Sequence, residues 1–194
     1  MKIDNNKKAI IVGLSLVILI LCCIMLPTWI QNYAFVYGGD LKPQHFQFYT
    51  EFKSLMLDLI NEHELPFYSW DIFLGNNFYS SKAYYLMGDI YAYISLGFDT
   101  QFYNIFVIQT FMKLSVSYLS FYALSRIYKY SYKTSLILAL CYSMSSWVIF
   151  FIGQPMFVSF YSFMPLYFIG IELYLRDNKY TIFLISTTLC LMTN

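Results

Sequence analysis

Apolar residues fill five stretches of the chain: Ala9–Ile30, Phe102–Leu124, Thr134–Gly153, Pro155–Leu175 and Tyr180 to Asn194. At about 1.5 Å of rise per residue, the first four are long enough to cross a ~30 Å hydrocarbon layer as helices. The fifth ends after fifteen residues, short of the ~20 that a crossing needs. The chain is therefore expected to be a fragment of a larger multispan protein, or a truncated product. Between the first two runs the pattern changes. Phe48, Phe52, Leu55, Met56, Leu59 and Ile60 recur at helical spacing, with Gln47, Glu51, Lys53, Ser54, Asp58 and Asn61 between them. That alternation predicts an amphipathic helix over about 43–62, stopped by Leu65-Pro66. Placed directly after a hydrophobic anchor, it is expected to lie on the membrane surface with its apolar face down. Residues 83–98 hold a shorter apolar segment, read as interfacial or re-entrant.

The links between the runs carry the charge. Lys2, Lys7 and Lys8 precede the first run; Arg126, Lys129 and Lys133 lie in one link, and Arg176 and Lys179 in another. With residues 1–8 in the cytoplasm, all of these fall on one side, whereas only Lys42, Lys53 and Lys82 fall on the other. The positive-inside rule then sets the topology: a cytoplasmic N-terminus, spans at 9–30, 102–124, 134–153 and 155–175, an incomplete span at 180–194, and an extracytoplasmic loop at 31–101. The first run is too long for a signal-peptide core and no small-residue cleavage site follows it. It reads as an uncleaved anchor with Pro27 and Trp29 at its far interface.

Composition sharpens this picture. Of 194 residues, 59% are apolar and 12% charged, about half the charge of an ordinary soluble domain. Such a chain cannot cover its own surface in water. The fold class expected is an all-α integral membrane protein, a multispan bundle with one large outer loop carrying amphipathic surface helices. A net charge of +1 gives no footprint for nucleic acid, and the lipid bilayer is the partner that composition dictates. Cys22, Cys23, Cys141 and Cys190 lie in apolar runs without C-x-x-C spacing and read as packing residues.

Candidate chemistry gathers in the loop, which holds Asp40, Glu51, Asp58, Glu62, Glu64, Asp71, Asp89 and Asp99, eight of the chain's eleven acids. Gly38-Gly39 allows a sharp bend between anchor and helix, leaving Asp40 at the water–lipid boundary. Asp40 has two compatible readings: an N-cap, and a carboxylate held ionised by the positive end of a helix. Trp70, Asn76, Asn77, Tyr84 and Tyr85 read as turns and an aromatic belt, or as the lining of a sugar site. Asp89 reads as a cap, a solvated turn or a functional acid. His45 and His63 lack the spacing of a helical metal pair. Lys113 is anomalous: an ammonium near the bilayer midplane needs a polar cavity or a partner. It is a candidate for neutralising a phosphate, or for pairing with an acid beyond Asn194.

Taken together, Gly38-Gly39-Asp40-Leu41 with Gln44, Trp70 before Gly75-Asn76-Asn77-Phe78, Ala83-Tyr84-Tyr85-Leu86, Lys113-Leu114, and Met164-Pro165-Leu166 running into Gly170-Ile171-Glu172 resemble the bacterial YfhO family. That family is placed in the GT-C superfamily of membrane glycosyltransferases. One departure is Gly88-Asp89-Ile90, where the family pattern has Asp-Pro. The resemblance implies transfer of a sugar from a polyprenyl-phosphate carrier to a cell-envelope acceptor such as teichoic acid, at the plasma membrane. It implies Asp40 as the catalytic base of an inverting displacement. Lys42, Gln44, Trp70, Asn76, Asn77, Tyr84, Tyr85, Asp89 and Lys113 become candidates for substrate binding. No cofactor is certain; a divalent cation is an option at the leaving phosphate. The chain alone is expected to lack a complete site. Two other readings stand beside this one: a transporter or flippase of lipid-linked or polar substrates, for which Lys113 argues, and a non-catalytic membrane subunit.

Overall fold

A computed structural model describes residues 4–33, 44–63, 68–70, 75–77, 86–97 and 102–193. The protein is an all-α membrane protein. Its helices are α1 (Asn5–Ile30), α2 (Phe46–Glu62), α3 (Phe102–Ile127), α4 (Tyr132–Ser143), α5 (Ser146–Phe151), α6 (Pro155–Asp177) and α7 (Thr181–Met192). A 3-10 turn covers Ala92–Gly97, and a two-residue antiparallel ladder pairs β1 (Tyr68–Ser69) with β2 (Asn76–Asn77). Among the described residues, four helical stretches are long and apolar enough to cross a membrane: Asn5–Ile30, Asn104–Ile127, Tyr132–Phe151 and Pro155–Asp177.

α1 is apolar all round, yet it buries only Ala9, Gly13, Val17, Leu21 and Met25. These recur every four residues, so they form one ridge, and the remaining faces are left for lipid. The ridge packs on α3 and α4. The Tyr118 hydroxyl donates to the Ala9 carbonyl at 2.9 Å, and the Tyr122 hydroxyl to Asn6 Oδ1 at 3.3 Å. As the α3 partner advances, the α1 partner retreats, so the two helices run antiparallel. α1 ends and α3 begins at one end of the bundle, here called the loop end. α6 runs the same way as α3: Lys113 Nζ donates to the Pro155 carbonyl and Ser120 Oγ to the Ser162 carbonyl, both pairs 42 residues apart.

The expected span 134–153 is not one helix. Ser131 caps α4, its Oγ accepting from the Thr134 N–H at 3.2 Å. Ser145 caps α5 in the same way, accepting from the Val148 N–H at 3.4 Å. A serine that offers its own side chain to the backbone favours a new helix start over continuation. The break is braced by two stacked tyrosines, Tyr142 and Tyr161, with centroids 4.2 Å apart. Pro165 lacks the N–H that would bond the Tyr161 carbonyl, and the Tyr142 hydroxyl fills that place at 2.9 Å. Reciprocally, the Tyr161 hydroxyl donates to the Tyr142 carbonyl at the break, at 3.1 Å.

α7 returns along α6 with backbone contact at Gly170. A Cβ there would stand 2.5 Å from Phe183 Cα and 2.8 Å from its nitrogen. Gly170→Val is therefore expected to push α7 off α6 and to cost about 1–3 kcal/mol. A lowered unfolding midpoint in detergent would show it, and an unchanged midpoint would mean that the contact is absent. Gly88 is equally confined, since a Cβ there would run into the Met192 carbonyl at the far end of α7.

Candidate functional site

The start of α6 is set back from the loop end. The shared register of α3 and α6 places Pro155 level with Lys113, eleven residues below Phe102, about 16 Å at the rise of an α-helix. The turn between α5 and α6 therefore lies well inside the bundle. Above it, the first turns of α3 face a recess, which α2 and residues 86–97 occupy. Tyr49, Phe52 and Met56 of α2 pack with Leu86, Ala92 and Phe106 in one buried cluster. This corrects the expectation that the apolar face of α2 rests on lipid: the chain itself covers that face. Hydrophobic spacing shows that a face will be buried and not what will bury it.

The recess has a polar floor. Asp89 is 0% exposed and Lys113 2% exposed. Lys113 Nζ donates to Asp89 Oδ2 at 3.1 Å and to the Pro155 carbonyl at 3.1 Å. It also stands 5.3 Å from the Tyr91 ring centroid, within cation–π range. Asp89 is satisfied on both oxygens. Oδ1 accepts the Tyr91 N–H at 3.0 Å, and Oδ2 accepts Ser159 Oγ at 2.8 Å. The single Ser159 proton has a second acceptor within reach, the Pro155 carbonyl at 2.9 Å. The cap reading of Asp89 and the need of Lys113 for a partner thus meet in one buried pair. The solvated-turn reading fails, and the acid that pairs with Lys113 lies within this chain, 24 residues away.

Further bonds tie the floor to its walls. The Tyr91 hydroxyl lies 2.9 Å from Ser162 Oγ, and the ring stacks on Phe163 at 5.5 Å. Gln109, one helical turn before Lys113, donates Nε2 to the Tyr91 carbonyl at 2.9 Å and accepts the Tyr49 hydroxyl at 3.2 Å. Burial, reinforced by the negative charge of Asp89, holds the Tyr49 hydroxyl well above the usual tyrosine range, against the bond to Gln109. It therefore serves as a proton donor. His45 Nε2 lies 2.9 Å from Gln154 Oε1, joining the start of α2 to the α5–α6 turn. Phe106, Gln109, Thr110, Lys113, Ile152, Pro155 and Val158 enclose a void of about 10 Å³, room for at most one water.

Asp40, Lys42, Tyr84 and Tyr85 lie outside the described residues. Gln44 stands just ahead of His45 at the start of α2, half-buried. Trp70 directly follows β1, and Asn76 and Asn77 form β2, where Asn77 pairs with Tyr68. Of the candidates, the structure thus unites Asp89 with Lys113. Sequence reading passes over Tyr91, Gln109, Ser159 and Ser162. Its available signals are polar residues one helical turn apart, Gln109 with Lys113 and Ser159 with Ser162, inside runs that lipid would otherwise keep apolar. Among the described residues no group of three or more His, Cys, Asp or Glu side chains could hold a metal ion.

Residues 11–194 match the model of a family described as bacterial membrane protein YfhO. No curated protein and no solved structure matches the chain.

Proposed function

The chain belongs to the YfhO family of bacterial membrane proteins, and from that premise we propose that it forms the N-terminal part of a membrane glycosyltransferase. The donor is a sugar on a polyprenyl phosphate and the acceptor a hydroxyl of a cell-envelope polymer, outside the plasma membrane. The N-terminus and the basic links lie in the cytoplasm, and the loop end faces outward. The acceptor oxygen attacks the anomeric carbon as the bond from that carbon to the phosphate oxygen breaks. The bonding pair leaves with the polyprenyl phosphate, the acceptor proton passes to the Asp40 carboxylate, and the configuration inverts. Such a base contributes about 10²–10⁴-fold. The charge on the departing phosphate is met by cations of the loop, with Lys42 and Lys82 as candidates.

The observation that most supports this reading over a transporter is the pairing of Lys113. In a transporter, such an ammonium would border a water-filled path, and the void beside Lys113 is only about 10 Å³. Here Asp89, the Pro155 carbonyl and the Tyr91 ring already engage it. The pair joins the loop to the bundle, as a scaffold for interfacial chemistry requires. The test uses the full-length protein in vesicles carrying a radiolabelled polyprenyl-phosphate sugar, with the envelope polymer outside. Label in the polymer, with loss of donor, is the expected outcome. Label that crosses the bilayer still attached to its carrier would replace the enzyme with a flippase.

A further inference from the structure

We propose that the seam between α1 and α3 binds one anionic glycerophospholipid in the leaflet at the end opposite the loop. Its phosphate sits between Lys7 and Arg126, and an acyl chain lies in the cleft at Ile18 and Ser115. In the topology proposed above this is the cytoplasmic leaflet. The site is remote from the sugar chemistry assigned to the loop end and does not depend on it.

Ile18, Phe111, Met112, Ser115 and Val116 line an open cleft of about 430 Å³ between the two helices. Ile18 is 47% exposed and Met112 42% exposed, so the cleft opens outward, where lipid surrounds the bundle. Four of the five side chains are apolar, and the small Ser115 leaves the space that a larger residue would fill.

Two matching stripes lead from the cleft to the far end. Lys7 stands eleven residues before Ile18 on α1, and Arg126 eleven residues after Ser115 on α3. Eleven residues make about three turns of 3.6, so each basic residue shares a helix face with its lining residue. Because α1 and α3 run antiparallel, both stripes reach the same end. The rise is about 16 Å on either helix, roughly half of a ~30 Å hydrocarbon core. A lipid chain that ends in the cleft therefore has its phosphate level with Lys7 and Arg126. The Tyr122 hydroxyl donates to Asn6 Oδ1 at 3.3 Å, which draws the helices together one residue from Lys7 and one turn from Arg126. Tyr128 and Tyr130, both about half exposed, suit the water–lipid boundary at this level.

The charge here fits a phosphate. Glu172 pairs with Arg176 at 3.4 Å and Asp177 with Lys179 at 3.7 Å. Among the described residues, Lys7, Lys8, Arg126, Lys129 and Lys133 then remain without an ion pair, with Asp4 as the acid left to face them. Arg126 Nη1 donates to the Tyr130 carbonyl. That bond holds the guanidinium in place and leaves the rest of its planar fork for phosphate oxygens. Bulk lipid offers the chain much the same apolar contact as the cleft does, so selectivity comes from the headgroup. A neighbouring helix would fill the cleft as well, but cations at the mouth call for an anion at the interface.

The experiment titrates the full-length protein in detergent with dioleoyl phosphatidylglycerol and with dioleoyl phosphatidylcholine, and counts bound lipid by native mass spectrometry. One phosphatidylglycerol is expected to bind more tightly than phosphatidylcholine by about tenfold or more. Lys7→Gln and Arg126→Gln should each weaken it about fivefold, the worth of one basic residue at an anionic lipid surface. Neither should change the affinity for phosphatidylcholine. Arg126→Lys should keep most of the affinity, because the charge remains. Lys53→Gln on α2 should change neither lipid. Ser115→Leu should weaken both lipids alike, because it fills the cleft and alters no charge. Equal affinity for the two lipids, or a preference that survives Lys7→Gln combined with Arg126→Gln, overturns the proposal. Displacement of bound phosphatidylglycerol by polyprenyl phosphate, one for one, also overturns it and makes the seam a carrier site.

Discussion

Lys113→Met should destabilise the protein by about 3–5 kcal/mol, because it strands a carboxylate in the bundle. Asp89 is fully buried and Lys113 nearly so. Methionine matches the lysine stem in length and removes only the charge and its donors. Asp89 then keeps the Tyr91 N–H and Ser159 hydroxyl bonds, but no cation. The double variant Asp89→Asn, Lys113→Met removes both charges together and should recover most of that loss, since replacing a buried pair by neutral groups is often nearly free. Thermal unfolding in detergent of the four proteins of this cycle gives the coupling directly. A pair that holds the recess together makes the double variant clearly more stable than Lys113→Met alone. Strictly additive losses would show that the two charges do not sense each other. Limited proteolysis reports the same event locally. Residues 86–97 are fastened to the bundle through this pair and through Gln109, so cleavage in the loop should rise in Lys113→Met and fall back in the double variant.

Asp40→Asn should lower sugar transfer by about 10²–10⁴-fold, the usual contribution of a positioned general base. The substitution separates the two readings of Asp40. Asparagine caps a helix about as well as aspartate, so a residue that only caps tolerates the change with little loss of rate or stability. A residue that takes the acceptor proton does not, because an amide has no basic oxygen to receive it. The measurement is label passing from lipid-linked donor to polymer, at matched amounts of inserted full-length protein. Transfer at the parental rate would remove Asp40 from the mechanism. A loss confined to KM for the donor would make it a binding group.

Local patterns along the chain carried much of the fold. The long apolar runs had to be helices, since in hydrocarbon every backbone N–H and C=O must be bonded within the segment. The spacing of Phe52, Leu55, Met56 and Leu59 announced α2 for a similar reason: a helix repeats every 3.6 residues, and that period is written in neighbouring positions. The break at Ser145 was less legible. Serine is common inside spans, and its choice to cap a second helix depends on Tyr161, which braces the freed carbonyl from another helix. The partner of Lys113 had no local trace. Asp89 sits in a short segment without helical period, and only the set-back start of α6 opens the recess that brings it down beside the lysine.

The sequence by itself determined that this is a helical membrane protein, that one lysine in a span needed a polar cavity or a partner, and which loop carries the acids. Tertiary structure alone decided that the partner is Asp89 and that α2 is covered by its own chain. The division has one physical cause. Solvent and lipid act on each residue where it stands and leave a periodic record along the chain, whereas a buried charge or a stacked ring is satisfied by whichever distant group packing brings within a few ångströms.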